Sequence, residues 1–444
     1  MATAKKTRRA AYRNVEAIEV KAWGQRVGAV AREPTKNHYA FEYDPAWIRR
    51  GVELAPLTMP LAQASEPFLF TELPEATFKR LPALLADALP DDFGNALIDA
   101  WMAERGIRKE SVTALDRLAY MGKRGMGALT FGPMRGPIPS KPMAVEMGSL
   151  VEAARRAVQG DFDGDDHAQA ALKQIIQVGT SAGGARAKAT IAWNPITKEV
   201  RTGQFDIPQG FEAWLLKFDG MGTDNQLGPS RSYGRIEYAY HELAQVAGVE
   251  MSACRLLQEN GRAHFMTRRF DRAGNERHHM QTLCAMAHLD YKQVGTHSYN
   301  QLFQTAQSLK LGREAMVQIL RRMVLNVLAV NNDDHTKNFS FLLRQGGRWE
   351  LAPAYDITHA YRPGSEWVAE HQMSINGKFD NITRADVRTV AERFDLLAEL
   401  PDAIEQVRDA VAQWPAVAKA AEVDTVEIDT IHGHMTEHAR IFSS

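Results

Sequence analysis

Cysteine is scarce in this sequence: Cys254 and Cys284 are the two in 444 residues, far apart and without CxxC spacing. That excludes a disulfide-stapled scaffold and reads as two reduced core thiols of a cytoplasmic protein. Long apolar runs are missing as well. No stretch approaches the ~18 uninterrupted apolar residues of a membrane span, and the first basic residues are followed by no apolar h-region, so no secretory signal and no membrane role are expected. Net charge is nearly absent, with 53 basic against 54 acidic side chains, which removes the global case for a free-standing nucleic-acid binder. The balance is uneven, because Lys5, Lys6, Arg8, Arg9 and Arg13 precede the first acid, Glu16, leaving 48 basic against 54 acidic in the remainder. This tail reads either as a solvated leader or as a salt-sensitive DNA contact within a larger complex. No repeat or low-complexity tract stands out. What is present, 45% hydrophobic and 24% charged residues, is a globular composition, and at roughly 100–200 residues per domain it implies two or three units.

The elements run as a small β-rich unit, a β-rich lobe with one helix, and a helical lobe. Val15 to Trp23 alternates, and Gly24 leads into Val27-Gly28-Ala29-Val30, a hairpin pattern. Strand-like pieces follow at 39–43 and 68–70, then a helical stretch at 93–105 and a glycine-rich piece at 122–131. The prolines at 133, 137, 139 and 142 mark a boundary. Residues 147–160 read as a short helix; the pattern then becomes strand (174–178), glycine loop, strand (189–193). A strand at 212–218 precedes a helix at 235–247, and strands at 254–259 and 263–270 flank the turn Asn260-Gly261. Helices dominate afterwards, the clearest at 313–330, with a hairpin at 339–343 and 349–352 and a cap-like Thr383-x-x-Asp386. The divisions are a basic tail (1–14), an N-terminal unit (15–142), a β-rich lobe (143–275) and a helical lobe (276–444).

Four features carry chemistry. The loop Gly179-Thr180-Ser181-Ala182-Gly183-Gly184-Ala185-Arg186-Ala187-Lys188 is not a Walker A motif, because Ala185 follows Gly184 where lysine is required. It is a glycine-bearing turn whose free amides suit nucleotide phosphates, as in protein kinases, and it would serve equally as a hairpin tip. Asp333 and Asn338 have the spacing of a kinase catalytic loop, in which Asp accepts the hydroxyl proton and Asn ligates magnesium. Asp356, in Tyr355-Asp356-Ile357 just after a hairpin, adds a second carboxylate able to hold magnesium. Phosphoryl transfer needs such hard oxygens converging near one proton acceptor, since positioning and divalent cations stabilise its transition state. Asp and Asn are common at turns, so their order along the chain carries more weight than any one of them. Lys217 lies inside the apolar strand Trp214-Leu215-Leu216-Lys217-Phe218, where burial demands a phosphate or carboxylate, and Glu237 opens the next helix, where a kinase supplies that carboxylate. His432, His434 and His438 lack a matching cysteine or carboxylate and read as surface histidines instead of a zinc site, and His278-His279 reads as exposed.

Together these residues resemble the HipA-like bacterial serine/threonine kinases, the toxins of type II toxin–antitoxin pairs. The resemblance spans nearly the whole chain. In the N-terminal unit it rests on Trp23-Gly24-Gln25-Arg26-Val27-Gly28, Phe41-Glu42-Tyr43 with Trp47, Leu89-Pro90-Asp91-Asp92-Phe93-Gly94 and Met126-Gly127-Ala128-Leu129. In the core it rests on residues 181–188, Leu216-Lys217-Phe218, Arg269-Phe270-Asp271-Arg272, the run from Asn332 to Ser340 and Tyr355-Asp356-Ile357. The resemblance implies an α+β, two-lobed protein-kinase-like fold behind a small N-terminal subdomain, with ATP and Mg2+ as cofactors. It implies that Asp333 is the catalytic base, Lys217 with Glu237 its phosphate-binding pair, and Asn338 and Asp356 the metal ligands. Ser181, Ala182, Gly183, Gly184, Ala185 and Lys188 would hold phosphates, with His335 and Lys337 orienting the catalytic loop or touching the phosphates, while Arg268, Arg269 and Phe270 would meet adenine. Ser181 would be an autophosphorylation site. The implied partners are a small helix-turn-helix antitoxin (HipB-like), DNA mainly through it, and a protein substrate such as an aminoacyl-tRNA synthetase. The loop departs from the family in having Arg186-Ala187 before the lysine where relatives carry a Gln-Glu pair. A small-molecule phosphotransferase and a catalytically dead co-repressor remain the alternative readings.

Overall fold

The computed structural model describes residues 12–137, 143–159, 175–176, 178, 186–220 and 232–444. The loop residues Ser181, Ala182, Gly183, Gly184 and Ala185 and nearly all of the basic tail lie outside these. The N-terminal hairpin forms as its alternation predicts. Strands β1 (Ala17–Ala22), β2 (Gln25–Glu33), β3 (His38–Tyr43) and β4 (Leu129–Gly132) make an antiparallel sheet in the order β3-β2-β1-β4. Gly28 is required where β2 meets β3, because a Cβ there would stand 2.1 Å from the Glu42 carbonyl oxygen. Residues 68–70 do not form the expected strand. Phe68 makes one isolated bridge to Phe41 and then departs, its ring held edge-on by Tyr43, so packing uses these aromatics without extending the sheet.

The β-rich lobe is a five-stranded antiparallel sheet in the order β6-β5-β7-β9-β8, built from β5 (Lys188–Trp193), β6 (Val200–Thr202), β7 (Glu212–Lys217), β8 (Cys254–Glu259) and β9 (Arg262–Arg268). Every residue of β5 is buried, because the N-terminal unit covers this lobe: Ile18, Val20 and Phe78 share one continuous core with Ile191, Trp214 and Leu216. The helix Tyr233–Val246 lies on β9 so closely that a Cβ on Gly234 would come within 2.0 Å of the Ala263 carbonyl oxygen. The described part of the expected strand 174–178 is helical: Ile175, Ile176 and Val178 are buried in a helix beside β5. A short apolar run has no periodicity that separates strand from buried helix.

The helical lobe is organised around Arg313–Leu328, which packs against Leu400–Ala412 in a second core that also receives Ile236, Tyr240 and Leu243 of the helix Tyr233–Val246. A capping box at Thr383 and Asp386 starts Arg384–Arg393. A three-stranded sheet, His279–Thr282 beside Ser340–Leu343 beside Trp349–Leu351, forms the floor between the lobes. His278 and His279 are buried, against expectation, because the N-terminal unit folds over this sheet and Leu54 O stands 3.1 Å from His279 Nε2. Both cysteines are free and buried. Among the described residues no helix is long and apolar enough to cross a membrane.

Candidate functional site

The upper wall of the interlobe cleft is made by the ends of β5 and β7, which place Lys188 opposite Lys217. Lys217 ends β7 and is buried, with Nζ 2.5 Å from Glu237 Oε1 in the first turns of the helix Tyr233–Val246. The close approach of Gly234 to β9 brings that turn against the sheet. Arg186 Nη1 takes the other oxygen of Glu237 at 3.2 Å, and Lys217 also pairs with Asp356 from the opposite lobe. Burial pushes the Lys217 ammonium toward neutrality, but Asp356 and Glu237 outweigh it and raise its pKa. Burial likewise opposes charge on Asp356, yet Lys217 above all holds that carboxyl down to about 2, so it is anionic at neutral pH. Asp356 has φ 55°, a left-handed backbone that an Asp tolerates only at some cost and that marks functional turns.

The lower wall is the loop that follows Arg313–Leu328. After the helix the chain turns through Val330, a β-branched residue held at φ 56°, a conformation that such residues avoid unless their surroundings impose it. A chain of side-chain hydrogen bonds imposes it here. Asn331 Nδ2 donates to Asn326 Oδ1 at 2.9 Å, Asn326 Nδ2 to Tyr299 Oη at 2.9 Å, and Tyr299 Oη to Asp334 Oδ2 at 2.7 Å. Asp334 accepts further from the Gln372 amide at 2.7 Å and meets His371 Nδ1 at 3.0 Å. Thr336 Oγ1 ties the loop to Leu289 O at 2.7 Å, and Tyr355 Oη reaches Lys337 O at 2.6 Å.

Asp333, on this fixed loop, has no such set of donors among the described residues. Its side chain is 28% exposed, and His335 Nε2 stands 3.7 Å from Oδ1. Burial raises its pKa to about 6, with the charges of Asp356 and Asp334 adding to the rise and those of His335 and Lys217 opposing it. Asn338 Nδ2 donates to the Asp333 carbonyl at 2.6 Å, which turns the amide so that its oxygen remains as an acceptor. The arrangement brings a proton acceptor, a buried cation and two oxygen donors to one cleft. Asp356 and Asn338 supply hard oxygens of the kind Mg2+ takes when it keeps most of its waters, so the donor set fits that ion.

The other expected residues are placed as follows. Arg268 and Arg269 donate their amides to Ala253 O and Ala213 O, both at 2.9 Å, while among the described residues no backbone oxygen accepts from the Phe270 amide. The Arg269 side chain turns away from the cleft into a buried bidentate pair with Asp271, at 2.9 and 2.8 Å. Arg272 joins that carboxylate at 2.6 Å, and Gly127 N of the N-terminal unit donates to it at 2.7 Å. Phe270 lies 5.6 Å, ring to ring, from Tyr355. Lys188 pairs with Asp91 at 3.2 Å, and Lys337 Nζ lies 5.0 Å from the Tyr291 ring centroid. His432 is exposed as expected, but His434 and His438 are partly buried against Tyr361, and His434 Nδ1 stands 3.1 Å from His359 Nε2. Sequence reasoning missed Arg186 as the second partner of Glu237, Asp334 as the anchor of the loop and Asp91 as the partner of Lys188.

Residues 18–132 match the family model described as the HipA N-terminal domain, and residues 180–414 match that of the HipA-like C-terminal domain. The fold is similar to that of HipA from Shewanella oneidensis MR-1, solved in a toxin–antitoxin complex of HipA, HipB and operator DNA, with a TM-score of 0.66, 17% identity and 96% of each chain covered. It also has a weaker likeness to the Helicobacter pylori proinflammatory kinase CtkA, with a TM-score of 0.35 and 13% identity over 52% of this chain and 85% of that one. No curated protein matches the sequence. With both family models matched in order along one two-lobed fold, the chain belongs to the HipA family.

Proposed function

We propose that this protein is an ATP- and Mg2+-dependent serine/threonine kinase that acts as the toxin of a toxin–antitoxin pair. The observation that carries the reading is Lys217, held by Glu237 on its own lobe and by Asp356 across the cleft, with Asp333 and Asn338 on the facing loop. Lys217 would hold phosphate oxygens of the nucleotide while Glu237 and Arg186 keep it in place. The amide of Phe270 is the hinge donor left for adenine. Asp356 and Asn338 would hold Mg2+, which supplies neutralisation of charge on the phosphates when bound. Asp333 accepts the proton of the attacking hydroxyl; with a pKa of about 6 it is mostly ionised at neutral pH and still a competent base.

The toxin reading draws on family membership. The solved relative is complexed with HipB and operator DNA, and for this chain a small helix-turn-helix antitoxin is the corresponding partner, with DNA reached mainly through it. The proposed substrate is a protein hydroxyl of the translation machinery, an aminoacyl-tRNA synthetase being the first candidate. Ser181 is proposed as the site of autophosphorylation, because a phosphate there adds roughly −2 charge to a loop that must receive another phosphate. Incubation with γ-labelled ATP and Mg2+ should place label on wild type and none on Ser181→Ala, while Ser181→Ala still labels added synthetase. Label on neither protein, with small alcohols phosphorylated instead, would favour a small-molecule phosphotransferase.

A further inference from the structure

The chain runs from Phe270 directly into Asp271, whose side chain is fully buried. That carboxylate accepts from four donors: Arg269 Nε and Nη2 at 2.9 and 2.8 Å, Arg272 Nη1 at 2.6 Å and the Gly127 amide at 2.7 Å. The Asp271 backbone oxygen accepts from the His278 amide at 3.0 Å, at the base of a two-stranded ribbon that pairs Arg272–Ala273 with Glu276–Arg277. The ribbon in turn grips the N-terminal unit. Arg272 donates to Gly125 O at 3.0 Å and to Gly127 O at 3.1 Å, while Arg277 donates to Gly127 O at 2.9 Å, Gly125 O at 3.0 Å and Lys123 O at 2.7 Å. The loop 123–127 is shaped for this contact: Gly127 has φ 73°, and a Cβ there would stand 3.0 Å from the Met280 nitrogen. One carboxylate and two guanidiniums thus fasten a loop of the N-terminal unit to the residue that follows Phe270.

We propose that the loop 123–127 is a further support of the nucleotide site, with Asp271 and Arg277 as positioning residues that aim the hinge at adenine. The physical ground is directional: a hinge amide bonds the base only if its N–H points at the acceptor, because a hydrogen bond weakens steeply as it bends. Before Phe270 the backbone is held by the sheet, through the Arg268 and Arg269 amides on Ala253 O and Ala213 O. After Phe270 the fixed point is Asp271, and that point is shared with the N-terminal unit through Gly127. The direction of the Phe270 amide is therefore set in part by a unit outside both lobes. Adenine lies at the opposite end of ATP from the transferred phosphate, so this contact serves ground state and transition state alike. Its loss should raise KM for ATP while kcat is retained. This inference rests on the kinase reading above, with Phe270 as the adenine donor.

The test uses the full chain: steady-state transfer from ATP and, on the same samples, the Kd for ATP–Mg2+ and for inorganic tripolyphosphate with Mg2+, which lacks the base. Arg277→Met should raise KM and Kd for ATP by roughly threefold to tenfold, the worth of about one hydrogen bond. Its kcat and its Kd for tripolyphosphate should stay within about twofold of wild type. Asp271→Asn keeps the shape of the side chain but withdraws the charge from Arg269 and Arg272, so it should shift ATP affinity in the same direction and further. Partial unfolding would lower the binding of both ligands together, so the split between ATP and tripolyphosphate reports positioning instead of stability. Should Asp271→Asn fail to fold, Arg277→Met carries the test, because among the described residues its guanidinium donates only to carbonyls of the loop 123–127. Unchanged ATP affinity in Arg277→Met, or equal losses for ATP and tripolyphosphate, would overturn the proposal and leave the kinase reading standing. No binding of ATP by wild type would overturn both.

Discussion

The two walls of the cleft are held in different ways. The upper wall is a set of ion pairs, Lys217 with Glu237 and Asp356 and Arg186 with Glu237, whose partners would be exchanged for a nucleotide phosphate or a metal in the function proposed above. The lower wall is a hydrogen-bonded scaffold in which Asp334, buried and committed to Tyr299, His371 and Gln372, has no role left except to fix its neighbour. Asp333 and Asp334 are adjacent and chemically identical, yet one is spent on structure and the other, denied such donors, has its pKa raised to about 6. The difference teaches that reactivity here comes from withholding partners, on a loop made rigid by supplying them next door.

Substitutions on the two walls should therefore fail differently. The largest loss of stability is expected for Asp334→Ala, which strips the acceptor from three buried groups and should cost ~3–5 kcal/mol in chemical denaturation. Lys217→Met should cost less in stability, because Asp356 faces partly open cleft and can take up water, but should weaken ATP binding by about tenfold or more; a calorimetric titration separates the two. If Asp334→Ala and Lys217→Met lose stability alike, the contrast between the walls is wrong. Arg186→Gln should be milder still, within about 1 kcal/mol, since Glu237 keeps Lys217.

The pH dependence follows from Asp333. Its pKa is raised in the folded state to about 6, so between the ordinary carboxylate range and pH 6 the folded protein holds a proton that the unfolded chain has released. Stability from this group accordingly falls as pH rises through that window, while activity rises. The acid limb of kcat/KM should drop tenfold per pH unit below about 6, and Asp333→Asn should melt above wild type at neutral pH. A pH-independent kcat/KM down to pH 5 would remove Asp333 from the role of base.

Much of this was readable along the chain because its signals are local. Lys217 announced itself as a charge in an apolar strand, Asp333 and Asn338 by their spacing, and the Thr383 cap and the N-terminal hairpin by short patterns. Long-range contacts left no such mark. Tyr299 and His371 meet Asp334 from 35 residues before it and 37 after, and no local rule joins them. Asp91 looked like a helix cap, which it is, but its second oxygen acts in another lobe. The helical state of Ile175, Ile176 and Val178 and the burial of His278 and His279 were misread for the same reason: each is decided by what packs over it.

The central claim is that this cleft binds a nucleotide through its ion-paired wall and uses Asp333 for the chemical step alone. Single-turnover transfer from γ-labelled ATP by wild type and Asp333→Asn, with nucleotide affinity measured on the same samples, tests it most directly. The account predicts a loss in transfer of ~10²–10⁴-fold with ATP affinity unchanged. Transfer at the wild-type rate by Asp333→Asn, or a parallel loss of nucleotide binding, would contradict it.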